Sequence, residues 1–312
     1  MMGIKQGEWN KADRLLLRAI AVVAALLLVV GLGLTVAYYW QRYYHPTVAV
    51  VDRDIAAVEE QIHRQPQDVA LRLSAAYLYV EKGRFDEAIN QGQAVLQVSP
   101  DDFRALQLIG MAYLSKQDRA QAITYFERAV ALNKDNPMAK ASRQLASLHF
   151  YLGRAYLEDS RVDEAIGELS AAVDSDSTNA DALQLLGDAL LAKGDSAGAI
   201  GPYQRALRLV PDFGEAYGGL ARAYDLAGDA AGAGYARAMV AYSQGDNEQA
   251  LGQLQGLLGQ WGEHAELRLG LAMAYERGGQ RDQALGEYRE AVRLAPDSIA
   301  AQRGASRLAE SR

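Results

Sequence analysis

Hydrophobic positions divide the chain into two regions with different patterns. Residues 19–40 read AIAVVAALLLVVGLGLTVAYYW, a continuous apolar run without a charged side chain. From about residue 52 onward, apolar and small residues recur every three or four positions, as at Leu106, Ile109 and Tyr113, with charged residues between them. That spacing places the apolar residues on one face of a helix. The first region therefore predicts one long apolar helix, and the second predicts a series of amphipathic helices.

An alanine recurs at a regular interval along the second region. The series consists of Ala88, Ala122, Ala165, Ala199, Ala233, Ala250 and Ala284, with steps of 34, 43, 34, 34, 17 and 34 residues. A fixed period of this length is the signature of stacked supersecondary units, each of which packs mainly against its neighbours. The sequence therefore predicts a solenoid rather than two separate globular domains.

The residues around these alanines repeat a pattern of large, large, small, large, small, large and small side chains. Small residues allow two helices to approach closely, and large residues fill the space between helix pairs. The second unit shows the pattern at Leu106, Ile109, Gly110, Tyr113, Ala122, Phe126 and Ala129, and the fourth at Leu183, Leu186, Gly187, Leu190, Ala199, Tyr203 and Ala206. This pattern resembles the tetratricopeptide repeat (TPR) family over most of residues 52–312. The resemblance implies an all-α solenoid, a right-handed superhelix of helix pairs with about six to seven repeats.

Glycines and prolines mark the turns of the predicted units. Glycine falls at the same repeat position between the paired helices, where it allows the left-handed backbone that ends a first helix. These residues are Gly83, Gly194, Gly228, Gly245 and Gly279. Proline, which cannot continue a helix, is predicted to end second helices and begin the next unit. These residues are Pro66, Pro100, Pro211 and Pro296.

The two irregular steps predict local departures from a uniform array. The 43-residue step has nine extra residues, and Asn136 followed by Pro137 is a good helix start. We therefore predict one long helix over 137–158 that extends beyond its neighbours by roughly 13 Å. The 17-residue step predicts a half-unit near 232–245, whose helix closes one unit, opens the next and changes the direction of the solenoid. A degenerate full repeat is the alternative, but this proline-free, helix-forming sequence does not favour the irregular stretch it needs.

The apolar run at 19–40 is predicted to be a transmembrane helix, since about 20 apolar residues span a bilayer core. A cleaved signal peptide is the alternative. However, the run exceeds the usual signal core of about 7 to 15 residues, and it ends in bulky aromatic residues that suit a membrane interface. Residues 1–18 hold four basic groups, which favours a cytoplasmic N-terminus. The predicted order is a cytoplasmic segment 1–18, the transmembrane helix 19–40, a linker 41–51 and an extracytoplasmic solenoid 52–312 that ends in a polar capping helix, 298–311.

Composition limits the chemistry that is available to the chain. It contains no cysteine, and none of its four histidines has metal-ligand spacing to another on one helix face. Only four of the 32 basic residues and two of the 39 acidic residues precede residue 19, so the remainder is acidic and unsuited to nucleic acid. No phosphate-binding loop or nucleophile motif is present. We predict no enzyme activity, no catalytic, metal or cofactor-binding residues, no cofactor and no small-molecule substrate.

The TPR resemblance implies a partner-binding groove lined by the first helices, with repeat positions two, five, nine and twelve facing it. Methionine and tyrosine at such positions suit a peptide or helix partner. Packing between adjacent helices is the alternative for any one of these residues, and ion pairs with Glu158 or Asp188 are the alternative for the arginines. The candidates are Leu73, Tyr77, Gln107, Met111, Phe150, Arg154, Gln184, Asp188, Arg222, Tyr235, Met239, Leu269 and Met273.

These expectations together indicate a membrane-anchored scaffold for protein–protein interaction. Its partners would be a protein or peptide in the groove and the lipid bilayer at 19–40. Anchored TPR proteins of similar architecture act as assembly chaperones in cytochrome c maturation and envelope biogenesis, which implies an assembly factor or adaptor for an envelope or membrane complex. One alternative is a stoichiometric accessory subunit that docks through the helix from Pro137. Another is a signalling scaffold that faces the cytoplasm.

Overall fold

The computed structural model describes residues 46–132 and 143–310. Within these two ranges the chain forms sixteen α-helices and no strand. The helices are α1 Pro46–Arg64, α2 Val69–Glu81, α3 Phe85–Val98, α4 Phe103–Ser115, α5 Arg119–Ala131, α6 Arg143–Glu158, α7 Val162–Ser175, α8 Ala180–Lys193, α9 Ser196–Leu209, α10 Gly214–Ala227, α11 Ala230–Ser243, α12 Asn247–Gly256, α13 Leu258–Trp261, α14 Ala265–Arg277, α15 Arg281–Leu294 and α16 Ile299–Glu310.

Consecutive helices pack as pairs, and the pairs stack in chain order. The first helices α2, α4, α6, α8 and α10 each pack against the second helix of their own unit and against the helix that precedes them. First helices of neighbouring units also contact each other, whereas in the described ranges the second helices α3, α5, α7 and α9 do so much less. The first helices therefore form the more closely connected layer of the array.

The small residues of the repeat lie where helices approach most closely. All seven alanines of the periodic series are fully buried. A Cβ added at Gly110 would lie 2.6 Å from Cε1 of Phe126, and one added at Gly187 would lie 2.7 Å from Cε1 of Tyr203. Both distances are shorter than any ordinary carbon–carbon contact, so these positions have no room for a side chain.

The turns inside the units confirm the prediction from glycine. The five glycines named above adopt φ values between +72° and +89°. The equivalent positions of the second and third units hold Gln117 (φ +64°) and Ser160 (φ +62°), which shows that the turn geometry is kept even without glycine. Each of the four prolines named above lies two residues after the end of a helix, as the sequence predicts.

The two irregular steps differ in how much of them the structure describes. Helix α6 is described from Arg143, and the predicted extension over 137–142 lies outside the described residues. At the 17-residue step, α11 packs against α10 and α12 and also contacts α14, and the half-unit near 232–245 stays a prediction. The short helix α13 then precedes α14, and α16 packs on α15 at the C-terminal end.

The predicted transmembrane helix 19–40 and the segment before it lie outside the described residues. In the ranges 46–132 and 143–310, no helix combines the length and the apolar character needed to cross a bilayer. Helix α1 begins at Pro46, inside the predicted linker 41–51. Proline is well suited to the first position of a helix because its fixed φ is already helical and its missing N–H has no intrahelical partner there.

Candidate functional site: a groove on the first helices

Most of the predicted groove residues reach the surface of the first-helix layer. The first of these residues along the chain is Tyr77 on α2, whose side chain is 52% exposed. The aromatic and sulfur-containing side chains on the following first helices are only partly covered. The exposed residues are Tyr77, Arg154 and Arg222, and the partly exposed ones are Gln107, Met111, Phe150, Gln184, Asp188, Leu269 and Met273.

Three of the predicted groove residues are buried, as expected from packing between adjacent helices, the alternative given above. Leu73 packs in a cluster with Ala105 and Leu108 of α4. Tyr235 and Met239 lie on α11 and pack closely against α14. A Cβ added at Gly270 of α14 would lie 3.2 Å from Cε2 of Tyr235 and 2.9 Å from Sδ of Met239. Because α11 is enclosed by α10, α12 and α14, positions that face a groove in a regular unit face another helix here.

A hydrogen-bonded cluster centred on Asp188 lies in the middle of the groove. Arg222 Nη2 lies 3.0 Å from Asp188 Oδ1, and the Tyr203 hydroxyl donates to the same oxygen over 2.6 Å. Gln184 Nε2 donates to the other carboxylate oxygen. Burial and the bond to Asp188 raise the pKa of Tyr203 above its usual value, so its hydroxyl stays protonated and remains a donor. The cluster joins α8, α9 and α10 and fixes the direction of the carboxylate.

Arg154 and Arg222 both form ion pairs, the alternative to partner binding that the sequence leaves open. Arg222 pairs with Asp188 as described, and Arg154 Nε lies 2.9 Å from Oε1 of Glu158 on the same helix. Exposed pairs of this kind contribute little to stability.

A depression lined by leucines and by the Asp188–Arg222 pair lies at the Asp188 cluster. It has a volume of about 380 Å³, and Leu226 at its edge is 69% exposed. Sequence reasoning missed its leucines, although Leu157 and Leu191 occupy repeat position twelve and were therefore within reach of the pattern. The depression is lined by Leu157, Asp188, Leu191, Ala192, Arg222 and Leu226. An exposed apolar surface next to a fixed ion pair is able to bind apolar side chains and to orient a polar group beside them.

Several carboxylates in the described ranges have structural roles. In the described part of the chain, no group of three or more His, Asp or Glu residues is arranged to hold a metal ion. Asp86 and Glu87 lie in the first turn of α3, and Asp163 and Glu164 lie in the first turn of α7, where negative charge interacts favourably with the helix dipole. Glu87 and Glu164 are also bonded to the arginines that precede their helices.

Paired helices that stack in chain order define a repeat scaffold for protein interaction. The tetratricopeptide repeat model matches residues 73–137, 108–180, 185–236 and 235–299. These matches cover most of the chain, and the protein belongs to the TPR family. TPR arrays bind proteins, so the match indicates protein partners.

Similar proteins share the repeats but differ in length and name. The chain is 26% identical over 148 residues to protein O-mannosyl-transferase TMTC1 of Mus musculus, covering 47% of this chain and 15% of the relative. It is 32% identical over 122 residues to cellulose synthase operon protein C of Escherichia coli K12, covering 36% and 10%. The chain thus spans less than a fifth of the length of either relative.

Two crystal structures show the same fold at low identity. MamA protein has a TM-score of 0.50 and 23% identity, covering 58% of this chain and 94% of its own. The C-terminal part of a TPR repeat-containing protein from Cytophaga hutchinsonii has a TM-score of 0.50 and 14% identity, covering 84% and 96%. At these identities the likeness concerns the fold alone.

Proposed function

We propose that the protein is a membrane-anchored scaffold, an assembly factor or adaptor for an envelope or membrane complex, that holds a peptide or helix of its partner in the groove. The observation that carries this proposal is the depression beside Asp188, where half-buried Leu157 and Leu191 and exposed Leu226, from three successive first helices, adjoin an ion pair. Such a surface binds through shape and apolar contact, and it needs no reactive group.

The groove offers two kinds of contact to a bound segment. Leu157, Leu191 and Leu226 bury apolar side chains of the partner, as in other helix-in-groove complexes. Asp188 and Arg222 are already paired with each other, so they favour a partner whose polar groups bond to the pair without separating it. Towards the N-terminal end, Tyr77, Met111 and Phe150 extend the apolar surface over α2, α4 and α6.

Membrane anchoring rests on residues 19–40 and on the position of the first helix. Only residues 41–45 separate the apolar run from α1. A short connection keeps the groove close to the bilayer and raises its effective concentration for partners in or near the membrane. The charge distribution around the run supports placing the solenoid on the extracytoplasmic side.

A topology experiment tests the anchor and the side of the membrane together. The full chain carries either alkaline phosphatase, active only outside the cytoplasm, or green fluorescent protein after Arg312 in a bacterial host. We expect active phosphatase, no fluorescence, and a membrane fraction that resists carbonate but dissolves in detergent. A variant lacking residues 19–40 is the control and should be soluble in the cytoplasm. Fluorescence from the full-length fusion, or its release by carbonate, would exclude this proposal.

A further inference from the structure

A second cleft lies between two parts of the array that are distant in sequence. It has a volume of about 310 Å³ and shares no lining residue with the depression beside Asp188. One wall is formed by α9 and α10, and the other by α14, the segment after α15 and the start of α16. Tyr235 of α11 lines the cleft between the two walls. Helix α11 contacts both α10 and α14, so helices from the two walls flank the same helix.

The inside of this cleft is apolar and aromatic. Tyr217, Leu220, Tyr224 and Tyr235 line it together with Leu269 of α14. The Tyr217 hydroxyl donates to the carbonyl oxygen of Pro211 over 3.1 Å and lies 3.5 Å from the Tyr235 hydroxyl. The Tyr224 hydroxyl accepts a bond from Gln204. Because these hydroxyl groups already have partners within the protein, the cleft offers mainly carbon surface to a ligand.

The rim of the cleft is charged and carries an excess of carboxylate. Glu266 and Asp297 line it opposite a single cation, Arg208. None of these three side chains forms an ion pair with another residue of the described ranges, whereas neighbouring Arg268 is paired with Glu287 at 3.0 Å. Ile299, which is 62% exposed, adds an apolar edge. Carboxylates that have no cationic partner around an apolar cleft are complementary to a basic ligand.

We infer that this cleft binds a segment of a partner protein that inserts one large apolar side chain, such as phenylalanine or leucine, with lysine or arginine on either side of it. The volume is at the lower end for ligand pockets, which suits a single anchoring side chain. The flanking cations meet Glu266 and Asp297 at the rim. This inference rests on the proposed role as a protein-binding scaffold, but it concerns a site separate from the groove centre.

Peptide titration tests the ligand chemistry directly. The probes are fluorescein-labelled 12-residue peptides of glycine and serine with a central Lys-Phe-Lys, and binding to the full chain in non-ionic detergent is followed by fluorescence anisotropy. We expect Lys-Ala-Lys and Glu-Phe-Glu versions to bind at least about tenfold more weakly, equivalent to about 1.4 kcal/mol each. Equal binding of either version would overturn the inference, because the apolar anchor or the charge would then be irrelevant.

Variants of the rim locate the binding site. The double variant Glu266→Gln with Asp297→Asn should weaken Lys-Phe-Lys binding at least about fivefold and leave a Ser-Phe-Ser peptide unchanged. The matched control, Glu248→Gln with Asp282→Asn, removes two exposed carboxylates elsewhere and should change affinity less than twofold. Equal effects of the two double variants would show that charge attracts the peptide non-specifically, and would refute binding in the cleft. The topology experiment does not involve this cleft. A wrong prediction of membrane anchoring and a wrong prediction of peptide binding in the cleft can therefore be told apart.

Discussion

Replacing Trp261 with alanine is expected to lower the free energy of unfolding by about 3–5 kcal/mol, the usual cost of removing a large aromatic side chain from a core. Trp261 is the buried residue of the short helix α13. Its ring centroid lies 5.5 Å from that of Tyr235 on α11 and 6.4 Å from that of Tyr224 on α10, and it stacks on His264 at 4.0 Å. Loss of these contacts removes the packing that holds the shared helix against the C-terminal units.

Urea unfolding followed by circular dichroism measures this effect. Because repeat arrays are stabilised by interfaces between neighbours, we also expect the transition of Trp261→Ala to broaden or separate into two steps. Gln260→Ala changes an exposed residue of the same short helix and should stay within about 0.5 kcal/mol of the parent. A Trp261→Ala variant with a single transition and a loss below about 1 kcal/mol would contradict this account of the half repeat.

Adjacent glycines of α10 are expected to respond in opposite directions to the same substitution. Gly219→Ala should lower the free energy of unfolding by about 2 kcal/mol, because the new methyl group overlaps the ring of Tyr203. Tyr203 is fully buried and bonded to Asp188, so its ring has little freedom to move. Gly218→Ala should raise the same free energy by up to about 1 kcal/mol, since a Cβ there meets no atom within 4 Å and alanine favours the helix.

This pair is its own control, because both variants add one methyl group to the same helix and differ only in the side that it faces. Thermal and urea unfolding of the two proteins beside the parent measure the difference. The expected separation between the variants is about 3 kcal/mol, the two effects above taken together. Two variants of equal stability would mean that α10 does not lie against Tyr203 as described.

The sequence predicts the fold well because its signals are local. Small residues at Gly110 and Gly187 repeat wherever helices approach closely, and glycine or a residue such as Gln117 occupies each left-handed turn. These features depend on the conformation of one unit and its nearest neighbour. For that reason a single repeated pattern suffices to place nearly every described helix.

The groove is less predictable because it depends on which helix faces solvent. Assigning groove positions by repeat number treats α11 as an ordinary first helix, and so it places Tyr235 and Met239 at the surface. In the structure α11 is enclosed on several sides, and both residues are buried. Leu226 is missed for the opposite reason: it follows position twelve by one residue and is exposed only through the way that α10 sits beside α8.

Of the residues that line the cleft between α10 and α14, the sequence predicted only Tyr235 and Leu269 as partner-binding, and it assigned them to the groove. The 17-residue step indicates that a half-unit is present and that the direction changes, but it contains no information about the angle between the units. In the structure, the ring of Trp261 packs on Tyr224 of α10 and Tyr235 of α11. Glu266 and Asp297 belong to the wall formed by α14 and the segment after α15, and the opposite wall comes from α9 and α10.

Site-specific photo-crosslinking in cells is the most direct test of the central claim that a protein partner occupies the groove. Benzoylphenylalanine is introduced at Met111 and Leu226 in the groove, and at Thr124 of α5 and Gln253 of α12, exposed residues of second helices, as controls. Leu226 is chosen instead of Met239, a predicted groove residue, because Met239 is fully buried and a crosslinker there would not reach a partner. We expect both groove positions to capture the same protein, identified by mass spectrometry, and neither control to capture it. Equal capture of that protein at all four positions would contradict the account.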